Sequence, residues 1–148
     1  MQSRWIFQLS EALAPPKDDE YLHELRETLA LWKAHNVPVE SRSGLVDGMF
    51  VCIEALSETS GCGIDSMRKM VENLTEKYGL ELLDAGTICY RTDRGVGKVS
   101  FFDLDAALKA GIIEDDTPIY DLTAVERDGF ADFLRPFSET PLALRIPV

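Results

Sequence analysis

The chain predicts an α+β fold of short strands alternating with amphipathic helices, and three observations carry that prediction. Residues 22–32 and 64–78 repeat apolar side chains at three- and four-residue steps, the spacing of one helix face. Residues 4–9 and 49–56 are short aromatic and branched runs bounded by polar or Gly/Pro-containing stretches, as strands are. Asp47-Gly48 is a hairpin signal joining two strand candidates. In order, residues 1–92 read β-α-β-β-α-β. That is the order of a ferredoxin-like sandwich, in which the first and third strands are central and two helices cover one face. The expectation is a single domain over 1–148: a core in 1–92, and a C-terminal extension of a hairpin and helices, 93–148, packed on it.

Each element has its own warrant. Trp5, Phe7 and Leu9 share one face of the first strand, which Ala14-Pro15-Pro16 closes off. Lys17-Asp18-Asp19-Glu20 opens a helix whose acidic first turn suits the positive end of the dipole, with Leu22, Leu25, Leu29 and Trp32 as its stripe and Asn36 and Pro38 as its stop. Val37 to Val46 is a weaker, polar strand, whereas Met49 to Leu56 is apolar on both faces, as a central strand is. Ile64, Met67, Val71, Leu74 and Tyr78 make the second stripe, closed by Gly79. Leu80–Asp84 and Thr87–Thr92 read as one bent strand or two, and Lys98–Phe102 returns after a turn at Asp93 to Gly97.

Beyond that hairpin, Asp103 is placed to cap a brief helix, Leu104 to Ala110, which Gly111 stops. Thr117 to Leu122 reads as a strand, and Thr123-Ala124-Val125-Glu126 matches a capping box opening a helix that carries Phe130, Phe133 and Leu134. Pro136, Pro141 and Pro147 keep the tail irregular. The sheet face without helices needs a cover, either this tail or a second copy in a homodimer.

Charge narrows the function classes. Fifteen Lys and Arg stand against 26 Asp and Glu, a formal net charge of −11. Such a chain gains no attraction to a nucleic-acid backbone or an anionic membrane surface. No apolar run is long enough to span a membrane and the N-terminus lacks a signal peptide's apolar segment, so the expected location is the cytoplasm. Cys52, Cys62 and Cys89 are odd in number and lack CxxC spacing, which suggests neither a disulfide framework nor a zinc site. No metal and no cofactor is called for.

Chemistry concentrates at the junction Ser57-Glu58-Thr59-Ser60-Gly61-Cys62-Gly63-Ile64-Asp65-Ser66. A helix starting near Gly61 points unpaired amides into the loop, which stabilises an anion or a thiolate. Cys62 is therefore the candidate nucleophile, with Ser60 as a cap, Gly61 and Gly63 permitting close approach, and Asp65 orienting a partner. The alternative is structural: Ser, Gly and Asp serve capping alone, and a small Cys packs. No base lies nearby in sequence, since His23 and His35 both fall on the first helix. Glu54 interrupts the apolar strand. It either faces water at a sheet edge or is a buried carboxylate partnered by Arg4, Arg42 or Arg91. The acidic run Glu114-Asp115-Asp116 lacks the spacing of a calcium loop.

Trp5-Ile6-Phe7-Gln8, Trp32-x-x-His35-x-x-Pro38, Ser60-Gly61-Cys62-Gly63-Ile64-Asp65-Ser66, and Ala110-Gly111-Ile112-Ile113 with Asp116-Thr117 together resemble a family of small bacterial proteins. Its members occur mostly in the Bacteroidetes group and often carry the label "ABC transporter ATPase". The label requires a phosphate loop, G-x-x-x-x-G-K-[ST]. The nearest string, Thr92-Asp93-Arg94-Gly95-Val96-Gly97-Lys98-Val99, has Thr92 for the first glycine and Val99 for the magnesium-binding hydroxyl. The ATPase reading is rejected on those residues. What remains is a non-enzymatic binding or interaction module for a small anionic ligand or a protein partner. The alternative is a thiol-dependent enzyme or redox sensor using Cys62.

Overall fold

Strand β1 (Arg4–Gln8) pairs antiparallel with β5 (Phe50–Ala55), and β5 pairs antiparallel with β4 (Ser41–Val46), giving a three-stranded sheet in the order β1-β5-β4. The alternation expected of β1 is realised in part: Trp5 and Leu9 are buried, but Phe7 is only half-buried and Gln8 on the opposite face is buried, while every residue of β5 is buried, as its two apolar faces require. This is a computed structural model describing residues 3–144; Met1, Gln2 and the Pro147 of the tail lie outside the described residues. The chain divides into two compact units, Met1–Leu83 and Asp84–Val148. Both are mixed α and β with antiparallel sheets.

In the first unit, helices α1 (Lys17–Leu29) and α2 (Gly61–Lys77) flank a small hairpin of β2 (Lys33–Ala34) and β3 (Val37–Pro38). Register puts Arg4, Ile6 and Gln8 beside Glu54, Cys52 and Phe50 on one face, and Trp5 and Phe7 beside Ile53 and Val51 on the other. The helices cover the second face. Trp5 packs edge-on against Trp32 at 6.1 Å, and Arg68 of α2 lies over the Phe7 ring at 5.8 Å. The buried stripe of α1 is Tyr21, Leu25 and Leu29, so Leu22 lies off the face expected of it. Tyr21 is fixed there by a 2.9 Å hydrogen bond with the Thr75 hydroxyl of α2, which the phenol's polar end requires once its ring is buried.

Helix α1 ends at Leu29, short of Asn36 and Pro38. His35 and Asn36 both take positive φ (51° and 66°) and form the turn between β2 and β3, so His35, expected on the first helix, is an exposed turn residue beyond its end. Asp47 and Gly48 also take positive φ, as a primed hairpin turn demands, and the Met49 amide donates to the Val46 carbonyl at 3.0 Å. Residues 80–92 are two elements. Leu82 makes an isolated antiparallel bridge to Leu9, on the edge of β1 away from β5, while Asp84 turns the chain by accepting the Gly86 amide at 2.8 Å.

The second unit has its own four-stranded sheet, in the order β7 (Gly95–Ser100), β6 (Thr87–Thr92), β8 (Pro118–Tyr120), β9 (Leu134–Pro136). Thus Thr87–Thr92 pairs here and not beside β1. Its core joins Ile88, Leu104, Ala107, Ile113, Ile119 and Phe137, with α3 (Leu104–Lys109) on it. Asp103 makes no side-chain cap; Ser100 instead caps the 3-10 turn ahead of α3, accepting from the Phe102 amide at 3.3 Å. Helix α4 (Ala124–Asp128) stops at Gly129, whose φ of 79° breaks the helical path, so Phe133 and Leu134 fall outside it. Thr123 is no capping-box residue: its hydroxyl donates to Asp121 Oδ1 at 2.5 Å.

Candidate functional site

The junction folds as a cap. Ser60 takes an extended conformation, and its hydroxyl accepts the Gly63 amide at 3.2 Å while its carbonyl accepts the Ile64 amide at 2.9 Å. One orphan amide of the first turn, that of Gly63, is therefore satisfied by the Ser60 side chain, and the Ile64 bond is the first regular bond of the helix. Gly63 is buried, and a Cβ there would meet the Thr59 hydroxyl and the Ala34 methyl. Its carbonyl also accepts the Trp32 indole N–H at 2.8 Å. Gly63 thus lets the β2–β3 hairpin and Trp32 close onto the start of α2. Cys62, Gly61 and Asp65 are exposed. Among the described residues no base is hydrogen-bonded to Cys62; His23 pairs with Glu27 on α1. The arrangement offers an accessible thiol without an activating partner.

Glu54 sits elsewhere, buried on the central strand. Register sets Arg4 and Arg42 opposite it from the two flanking strands, and both reach it: Arg4 Nε donates to Oε2 at 2.7 Å and Arg42 Nη2 approaches Oε1 at 2.5 Å. The Arg4 hydrogen bond holds the Glu54 carboxyl below the usual glutamate range against the opposing effect of burial, with Arg42 adding to the effect. Of the three arginines expected as partners, Arg91 goes elsewhere, over the Tyr120 ring at 5.9 Å. A wider groove of about 500 Å³ beside α1 and β4 is lined by Arg26 and Arg42, with the opposite charge of Glu40 in the same lining.

The phosphate-loop string is a β6–β7 hairpin. Gly97 faces the Tyr90 ring across the pair, so its missing side chain makes room for an aromatic and cradles no phosphate. Cys52 and Cys89 are buried, and burial pushes their thiols up to about 12 and about 11. Among the described residues no group of three or more His, Cys, Asp or Glu side chains is placed to hold a metal ion, and no helix is long and apolar enough to cross a membrane.

The second unit holds a feature that sequence reasoning missed. A cavity of about 210 Å³ is walled by Ile88, Phe101, Ile119 and Leu142, with Asp121 and Thr123 among its polar lining. Asp121 is only 6% exposed. Its Oδ1 accepts both the amide and the hydroxyl of Thr123, at 3.2 and 2.5 Å, and its own amide donates to the Phe133 carbonyl at 2.6 Å. Its Oδ2 is buried and has no hydrogen-bond donor among the described residues. The signal in the sequence was Asp121-Leu122-Thr123 directly after a strand, the string of an Asx turn, which fixes a carboxylate in place. No family of known proteins, no curated protein and no solved structure matches this chain.

Proposed function

We propose that the chain is a non-enzymatic binding protein that takes a small molecule into the cavity of its second unit. The carrying observation is a pocket walled mainly by apolar side chains with a few polar groups, Asp121, Thr123 and Thr140 among them, in its lining, which is the usual make-up of a small-molecule site. Amide resonances of Ile88, Ile119 and Thr123 should shift together in a fragment titration followed by nuclear magnetic resonance. Fragments that bind only elsewhere would overturn the assignment.

The first unit is the ferredoxin-like part of this proposal. Its support is the order β1-β5-β4 with the Leu82 bridge on the far edge of β1, where a fourth strand of that fold runs. Hydrogen bonds from Ser10 to Glu81 and from Leu83 to Gln8 flank that bridge, at 2.7 and 2.8 Å. A small anionic ligand belongs, on this reading, to the groove of Arg26 and Arg42. A homodimer through the helix-free sheet face is the weaker alternative, because Gln8, Phe50 and Cys52 on that face are already buried within one chain. Membership of the Bacteroidetes-type family and a cytoplasmic location complete the proposal.

A second reading keeps Cys62 as a reactive thiol, favoured by its exposure on the first turn of a 17-residue helix. Alkylation at least about tenfold faster than that of free cysteine at neutral pH would support it. An ordinary rate would remove it.

A further inference from the structure

We infer that the cavity of the second unit selects an uncharged ligand of one aromatic ring and excludes charged counterparts of the same size. The inference rests on the cavity being a binding site and adds the charge and shape of what it takes. The lining contains no Lys, Arg or His, so no side chain in the wall neutralises an anion. Its only carboxylate is that of Asp121, whose Oδ2 is buried away from solvent and whose Oδ1 already accepts the amide and the hydroxyl of Thr123. A cation in the cavity therefore gains no free carboxylate oxygen.

The threonines of the lining also give their hydroxyl protons to the protein. Thr123 donates to Asp121, Thr140 to the Phe137 carbonyl at 2.8 Å, and Thr87 to Asp84 Oδ1 at 3.4 Å. Those hydroxyls leave an anion no donor, and as neutral acceptors they do not offset the hydration that an ammonium loses on burial. An uncharged ring loses no such hydration, and Ile88, Phe101, Ile119 and Leu142 give it apolar burial. A volume of about 210 Å³ exceeds the roughly 150 Å³ that accommodates benzene, leaving space for one ring and a short arm. Phe101 favours a ring in particular. It belongs to the lining, stays 43% exposed and stands edge-on to Phe102 at 6.1 Å, so part of its surface is open to a further ring contact.

Benzyl alcohol, benzylamine and benzoate share the ring and differ in charge, which is zero, positive and negative at neutral pH. Each is titrated into the full chain and followed by the amide resonances of Ile88 and Ile119. The alcohol should bind roughly ten- to a hundredfold tighter than either ion. Aniline, whose nitrogen is uncharged at that pH, should bind like the alcohol; its exclusion along with the ions would overturn the charge argument. Phe101→Ala, at a half-exposed position, should weaken the alcohol roughly three- to tenfold. Ions that bind as tightly as the alcohol at these resonances overturn the inference and leave the cavity standing as a site, and this comparison does not depend on a variant folding. Unchanged binding to Phe101→Ala overturns the aromatic contact. Failure of all four probes to shift these resonances overturns the cavity as the site, and the inference with it.

Discussion

Cys62 is separated from the other two thiols by where the backbone leaves it. Cys52 lies on the central strand and Cys89 on β6, both buried, while Cys62 projects from the first turn of α2 into solvent. Native protein treated with iodoacetamide should therefore gain a single adduct, at Cys62, and Cys62→Ser should gain none until the chain is unfolded; mass spectrometry of the intact protein decides it. Glu54 makes a pH prediction of definite sign. Its folded-state pKa is lowered, so the stability it contributes is complete above the ordinary glutamate range and is lost as pH falls through the lowered value. Glu54→Gln should cost about 1–2 kcal/mol at pH 7, less than a fully buried pair would, because Arg42 is 72% exposed and screened. In urea denaturation the cost should shrink as pH falls below the ordinary glutamate range. A cost that stays constant with pH would mean that packing, not charge, explains Glu54.

The elements show which features of a sequence carry structure. Gly61 and Gly63 look alike in the string Gly61-Cys62-Gly63, yet a Cβ on Gly61 meets open space and one on Gly63 meets Thr59 and Ala34. Gly63→Ala should destabilise by about 1–3 kcal/mol through overpacking, whereas Gly61→Ala should be neutral or slightly stabilising. Thermal unfolding of the two variants side by side checks this, and equal effects would refute the packing role. The second helix stripe, Leu25 and Leu29 of the first, the Asp47-Gly48 turn and the Gly79 cap were legible, and Arg4 and Arg42 were among the partners open to Glu54, because period, turn chemistry and strand pairing are local or nearly so. The partner of Thr87–Thr92 was not. Strand pairing in the second unit depends on Tyr90 meeting Ile119, 29 positions later, and no local pattern announces it. Helix ends misled for a related reason: Gly129, not a proline, stops α4, and Tyr21 displaces Leu22 from the buried face because its hydroxyl finds Thr75. The cavity was invisible because its wall is drawn from four separated segments.

At the scale of the whole molecule the dominant quantity is charge, and it is spread. Residues 1–83 carry 14 Asp and Glu against 8 Lys and Arg, and residues 84–148 carry 12 against 7, so each unit is acidic by itself. Two opposing effects of salt follow. Screening weakens the ion pairs, of which Arg4–Glu54 is the best shielded and Lys77–Glu24 and Arg135–Asp128 are surface pairs of small worth. Screening also relieves the self-repulsion of a chain with a formal net charge of −11, which opposes the compact state. Repulsion wins, because it sums over the whole acidic excess while most of the pairs are exposed. Sodium chloride raised from about 0.01 M to about 0.3 M, which shortens the screening length from roughly 30 Å to below 8 Å, should therefore raise the melting temperature at pH 7 by a few degrees. Close to the isoelectric point of about 4.5 the net repulsion vanishes, so the same addition should lower the melting temperature or leave it unchanged. A fall at pH 7 would mean that the ion pairs outweigh the acidic excess. Glu54→Gln would then separate the contributions, since it removes the best-shielded pair and changes the net charge by a single unit.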